Sequence, residues 1–262
     1  MTTVADILNY VETFAPASMK EDWDRVGLNC GRMTAPVTKV LVALDPFDEA
    51  IDEAIAMGAQ LLLTHHVLIY EPGFLTDQTV QGRRVLKLLE HGIAHINAHT
   101  NLDVAPGGVN DALARTLGLQ NAAVIHPMGQ APDGTPYGLL RAGEIDTVPL
   151  PEFLSRIKER LGTPVLRYAD GGSPVHRVAV GGGACGSEIY EALQAGCDTF
   201  VTSDLKYNHF RDAQDSGLNL IDAGHFYTEN PVCGFLAEKL RTEFPEITVK
   251  ISQKQHDCIN FI

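Results

Sequence analysis

Three short segments carry side chains suited to holding metal ions: Thr64-His65-His66, His99-Thr100-Asn101-Leu102-Asp103 and His225-Phe226-Tyr227-Thr228-Glu229. Each follows an apolar run that reads as a buried strand, at 60–63, 93–96 and 218–221. In α/β folds, ligand and catalytic groups collect at the carboxyl ends of strands, where side chains leave the packed sheet. Imidazoles and carboxylates arriving there together point to a metal centre. For any one histidine taken singly, a satisfied core or surface residue is the stronger reading.

In a regular strand His65 and His66 face opposite ways. Where the strand breaks into a loop, they reach separate points a short distance apart, which suits a pair of ions better than one. Ligands shared so that each ion has three protein contacts leave open positions for water or substrate, as catalytic sites do. Imidazole with carboxylate suits Zn, Mn, Fe or Co and does not choose among them.

The elements that must position these groups read as a repeat. The run 40–44 leads to a helix at 48–57, a stop at Gly58 and the strand ending in Thr64-His65-His66. The run 178–180 leads to a helix at 187–194, a stop at Gly196 and the strand ending in Thr202-Ser203-Asp204. Glycine just past a helix supplies a left-handed cap. Segments 88–99 and 213–224 continue the match, setting Thr100 beside His225 and Asp103 near Glu229. The fold expected is α/β, two related units at 1–128 and 129–262, with the C-terminal helix and strand able to pack with the first. The site is then assembled from both. Shared patterning of ordinary βαβ units is the competing explanation. A turn-rich junction falls at 131–136, and a further amphipathic helix is expected at 151–161. His225 reads as a loop residue before the final helix, which Asn230 caps and Pro231 opens. Glu229 then lies at a helix amino terminus, which favours its ionised form.

The chain of 262 residues, 45% hydrophobic, can bury a full core. A formal charge of −13 favours solubility and argues against a general nucleic-acid surface. Five scattered cysteines form no C-x-x-C pair, as for reduced cytoplasmic thiols. No segment has the apolar length of a membrane span, and Thr3 and Asp6 read as a capping box on a first helix, not as a leader.

One motif competes. Gly181-Gly182-Gly183-Ala184-Cys185-Gly186 matches the dinucleotide fingerprint, with Asp204 about 20 residues on. Too little chain follows for a second mononucleotide half, and the first copy has Asp45-Pro46-Phe47 at the matching turn. The loop therefore reads either as backbone amides holding an anion beside the metals, or as a tight turn that permits close packing. Gly181, Gly182, Gly183, Asp204 and Lys206 are the candidate substrate contacts. His126 and His176 read as structural.

Trp23-Asp24-Arg25-Val26-Gly27-Leu28, Leu63-Thr64-His65-His66, His99–Asp103 followed by Ala105-Pro106-Gly107-Gly108-Val109-Asn110, the Gly181–Gly183 loop, Thr202–Tyr207 and Asp222-Ala223-Gly224-His225 together resemble a known family. This is the Nif-three-like family of dinuclear-metal-centre hexamers, often labelled GTP cyclohydrolase I type 2 homologues. The resemblance covers nearly the whole chain, in the short bacterial form without an inserted middle domain. Arg25 departs from the asparagine more common there. The resemblance implies His65, His66, Asp103, His225 and Glu229 as ligands of two divalent ions, with Glu229 taken as the bridging carboxylate. It also implies intertwined three-layer α/β units and a homohexamer. His99, outside that ligand set, is the candidate proton carrier, or else orients a ligand. The function expected is a metal-dependent hydrolase for a small anionic, nucleotide-like molecule, with GTP ring opening suggested by the family label alone. The alternative is a non-catalytic metal-binding regulator or scaffold that binds an effector.

Overall fold

Nearly continuous apolar runs, which form strands covered on both faces, are the frame of this chain. The computed structural model describes every residue except Pro72 and Pro132. In chain order the elements are α1 (Val4–Phe14), β1 (Gly27–Cys30), β2 (Lys39–Ala43), α2 (Asp48–Met57), β3 (Leu61–Thr64), α3 (Val80–Glu90) and β4 (Ala94–Asn97). There follow α4 (Thr100–Val104), α5 (Val109–Leu117), β5 (Gln120–Ile125), β6 (Gly129–Gln130), β7 (Pro136–Tyr137) and β8 (Leu140–Val148). Next come α6 (Leu150–Leu161), β9 (Arg167–Ala169), β10 (Val175–Val180), α7 (Ile189–Gln194), β11 (Thr199–Thr202) and α8 (Tyr207–Asp215). The last are β12 (Asn219–Asp222), α9 (His225–Glu229), α10 (Pro231–Glu243) and β13 (Thr248–Ile251).

The fold is mixed α/β, in two compact units. Unit 1 holds Met1–Leu102 and Val232–His256; unit 2 holds Asp103–Pro231 and Asp257–Ile262. Unit 1 has a five-stranded sheet in the order β1-β4-β3-β2-β13, parallel except for β1. Leu41, Ala43 and Leu62 pack with Ala50, Ile51 and Ala54 of α2 and Val85 and Leu88 of α3. The alternate residues Val40 and Val42 are also fully buried, so both faces of β2 are covered. Edge-to-face contacts of Tyr10 and Phe14 with Phe244 and Phe235 join α1 to the end of the chain.

Unit 2 has a six-stranded sheet in the order β5-β8-β10-β11-β12-β9, with β10, β11 and β12 parallel. Val178, Val180, Val201 and Ile221 pack with α5 and α6 on one face; Ala179, Phe200 and Leu220 pack with α7 and α8 on the other. Sequence patterning missed β5 and β8, whose runs include the exposed Asn121, Ala122 and Asp146. Of the junction expected at 131–136, Pro132 lies outside the described residues; beside it β6 and β7 pair as a hairpin.

The repeat has a topological counterpart. The order α1-β1-β2-α2-β3-α3-β4 recurs as α6-β9-β10-α7-β11-α8-β12, with β1 and β9 each antiparallel to the last parallel strand. Thr64 pairs with Asn97 as Thr202 pairs with Asp222. That register makes His66 equivalent to Asp204 and Thr100 equivalent to His225, matching the sequence alignment. Local chemistry agrees with it: Thr3 and Asp6 form a capping box on α1, and Gly58 ends α2 at φ 65°.

Candidate metal centre

In unit 1 the ends of β3 and β4 bring His65, His66 and His99 together, and each offers a ring nitrogen within 4.8 Å of the others. His65 and His66 follow the last residue of β3, where the strand opens. Every ring is held through Nδ1. His65 Nδ1 donates to the Ala98 carbonyl (2.9 Å), His66 Nδ1 to Asp45 Oδ1 (2.6 Å) and His99 Nδ1 to Asp24 Oδ1 (2.9 Å). A carbonyl or carboxylate accepts only, so these contacts place a proton on Nδ1, the way metal-ligating histidines are commonly held.

Asp24 is buried beneath this group and also accepts from the Thr100 amide (3.0 Å) and hydroxyl (2.5 Å). Burial pushes its carboxyl upward, but the bonds from His99 and Thr100 outweigh it and hold Asp24 well below the usual carboxylate range. His95, inside β4, is a different case. It bonds Thr64 Oγ1 (2.8 Å), and burial pushes its pKa down to about 3, so it is a neutral core histidine.

In unit 2 the carboxylates dominate. Asp103 and Glu229 offer oxygens within 4.8 Å of each other. Two ionised carboxylates this close repel, so the pair favours a shared proton or a neighbouring cation. His225 already supplies one: Nδ1 donates to Asp204 Oδ2 (2.7 Å) and Nε2 to Glu229 Oε2 (3.0 Å). Burial pulls its pKa down, but these two carboxylates raise it to about 11. The proton on Nε2 stands where a metal ion fits.

Contrary to the sequence expectation, His225 is not a loop residue. It opens the one-turn helix α9, and the i, i+4 spacing to Glu229 puts both side chains on one face. Gly224, at φ 84°, makes the turn into it. Asp103 sits in α4 and is tied down from behind. Asn110 Nδ2 donates to the Asp103 carbonyl (3.1 Å), while its Oδ1 accepts from the Gly182 amide (2.6 Å). The fully buried Arg141 grips Asp111 through two 3.0 Å bonds and donates to the carbonyls of Val104 and Ala105.

Of the two readings of the glycine loop, the geometry favours the tight turn that permits close packing. The amides of Gly181, Gly182, Gly183 and Cys185 donate to Val201 O, Asn110 Oδ1, Thr228 Oγ1 and Thr202 Oγ1. An anion could use them only by breaking these bonds. The glycines serve close approach instead: at Gly183 (φ 68°) an added Cβ would lie 2.2 Å from Glu229 Oε1. Asp204, expected to contact substrate, is the acceptor that orients His225, and the hydrogen bond from His225 lowers its pKa against the opposing effect of burial. It sits at φ 55°, a left-handed backbone unusual outside glycine. The Lys206 side chain is exposed at the start of α8. His176 donates to the Ile145 carbonyl, a structural role as expected.

Asp24 and Asp45 were missed as functional residues. Their only sequence signal was membership of the Trp23–Leu28 motif and of the turn equivalent to the glycine loop.

The family model for DUF34/NIF3 (NGG1p interacting factor 3) matches residues 2–258. The chain belongs to this family. A Clostridium perfringens protein named GTP cyclohydrolase 1 type 2 homolog is 35% identical over 98% of both chains. A Streptomyces coelicolor protein of the same name is 38% identical over 92% of this chain and 86% of its own. Among solved structures, Staphylococcus aureus protein SA1388 is 30% identical, with a TM-score of 0.91 over 100% of this chain and 99% of its own. DUF34/NIF3 membership agrees with the resemblance read from the motifs. Among the described residues, no helix is long and apolar enough to cross a membrane.

Proposed function

We propose that this DUF34/NIF3 chain is a dinuclear-metal-dependent hydrolase acting on a small anionic, nucleotide-like molecule. His65, His66, Asp103, His225 and Glu229 hold two divalent ions, Zn, Mn, Fe or Co, with Glu229 shared between them. The observation that supports the reading is the set of unit 1 imidazoles, each anchored through Nδ1 and each offering a ring nitrogen within 4.8 Å of the others. The name of the related proteins, GTP cyclohydrolase 1 type 2 homolog, supports a nucleotide as substrate.

The ions, when bound, lower the pKa of a coordinated water toward neutrality and polarise a substrate oxygen. The chain's own residues prepare the reaction. Asp24, Asp45 and Asp204 fix the imidazole tautomers of His99, His66 and His225. His99, held on the ionised Asp24, accepts or returns a proton at Nε2. Assembly as a homo-oligomer, a hexamer by family resemblance, completes the proposal.

Protein loaded separately with Mn, Zn, Fe and Co is assayed against nucleotides and generic phosphoesters, with metal content measured in parallel. The reading expects turnover that disappears in His65→Ala. It expects Glu229→Gln to drop occupancy from about two ions toward one, since an amide nitrogen cannot ligate. His99→Ala keeping its metals while losing rate supports proton transfer. Loss of a metal from that variant makes His99 a ligand, and no turnover with any metal refutes the hydrolase.

A further inference from the structure

Unit 2 holds a cavity of about 310 Å³ whose wall includes His225 and Asp204. It lies past the carboxyl ends of β11 and β12, where α/β sheets place ligands. Its volume is within the range of small-molecule sites, at about 300 Å³ and above. Apolar wall comes from Val165 and from Ile259 and Phe261 of the C-terminal segment. Polar groups sit between them and are unequal in what they have left to offer. Arg167 donates from Nη2 to Asp222 and to the Leu205 carbonyl (3.0 Å) and lies over the Phe210 ring, so one edge of its guanidinium is paired within the protein. Asp204 is committed to His225. Asp257 lines the cavity, and its Oδ1 accepts from the Ile259 amide (2.9 Å).

We propose that this cavity binds the flat heteroaromatic part of the substrate, a ring presenting adjacent N–H donors to the Asp257 carboxylate. The proposal rests on the hydrolase reading only in taking the neighbouring metals to act on the same molecule. Planar rings bury large area between apolar side chains at little entropic cost. A carboxylate has two acceptor oxygens, which parallel donors on one ring edge satisfy together. A phosphate is the wrong occupant. It would face three carboxylates, Asp204, Asp222 and Asp257, against two cations, Arg167 and His225, that are already paired with two of them, so the remaining negative charge disfavours it.

The test is calorimetric titration of the full chain as purified, with guanosine, inosine, adenosine and inorganic phosphate as probes. Guanosine offers two adjacent donor groups, inosine one, and adenosine a donor beside an acceptor. The expected result is guanosine binding tightest and phosphate not competing. Asp257→Asn, in an exposed segment with little cost to folding, should weaken guanosine by about 10–100-fold, the value of charge-assisted hydrogen bonds. Val165→Trp should block every nucleoside by filling the cavity. Absent guanosine binding, guanosine no tighter than inosine, or an affinity unchanged in both variants overturns the proposal. The two readings fail separately. Guanosine binding without turnover under any metal removes the hydrolase and leaves the cavity, whereas turnover with unchanged KM in Asp257→Asn removes the cavity and leaves the hydrolase.

Discussion

The strand ends of unit 1 and unit 2 occupy equivalent places in the same topology but present different chemistry. After the threonine that ends β3 come His65 and His66; after the threonine that ends β11 come Ser203 and Asp204. In the turn that follows β2, Asp45 anchors His66, while the matching turn after β10 has Gly183, whose missing side chain makes room for Glu229. Unit 1 therefore offers imidazoles anchored through Nδ1, and unit 2 offers carboxylates that hold His225 in its charged form. A repeated fold sets where side chains emerge; the residues placed there decide whether that end supplies lone pairs or charge.

The comparison can be broken most forcefully at Arg141, the buried cation that ties the segment after Asp103 to α5. Arg141→Leu leaves Asp111 without its ion pair and several carbonyls without donors. It is expected to destabilise the protein by about 3–5 kcal/mol in urea unfolding. A loss below about 1 kcal/mol would show that unit 2 does not rely on this anchor.

Gly183→Ala tests the room made for Glu229. A non-glycine residue at a left-handed backbone costs about 1–3 kcal/mol, and the added Cβ must displace the carboxylate. Metal analysis should show lost occupancy beyond the stability change; full occupancy would mean Glu229 ligates from another position.

Asp24→Asn probes the anchoring in unit 1. The buried carboxylate accepts from His99 and Thr100, so metal affinity should fall about 10–100-fold without loss of fold. Its depressed pKa also makes a pH statement. The stability it contributes is present above the unfolded aspartate value of about 3.9 and is lost as pH falls through the folded value. Thermal melts between pH 5 and pH 2 should therefore be flatter for the variant than for the native chain. Identical slopes would place the acid sensitivity elsewhere.

The smallest effect is a count of protons. His225, with its pKa raised to about 11, is charged in the metal-free chain at pH 8. Its stabilising contribution is fully present below about 6.5 and is lost as pH rises through the folded value. Metal binding at Nε2 must expel that proton, so titrations in buffers of different ionisation enthalpy should report release of about one proton from unit 2. Zero release overall would remove the distinction between the two ends.

Much of this contrast could be read from residue order. The metal-suited side chains, the repeat and its register equivalences, and the capping box at Thr3 and Asp6 all rest on local spacing or on alignment within the chain. His225 was misplaced because a one-turn helix is too short to show periodicity, and β5 and β8 were missed because exposed residues interrupt their apolar pattern. Tertiary structure alone decided the rest. Asp24 meets His99 across 75 positions and Asp45 meets His66 across 21, so no local spacing reveals either anchor. The same holds for the glycine loop: its sequence permits an anion cradle, but Asn110, Thr228 and Thr202 arrive from distant segments to take its amides. Residue types are written along the chain, but which donor finds which acceptor depends on packing that brings remote segments into hydrogen-bond range.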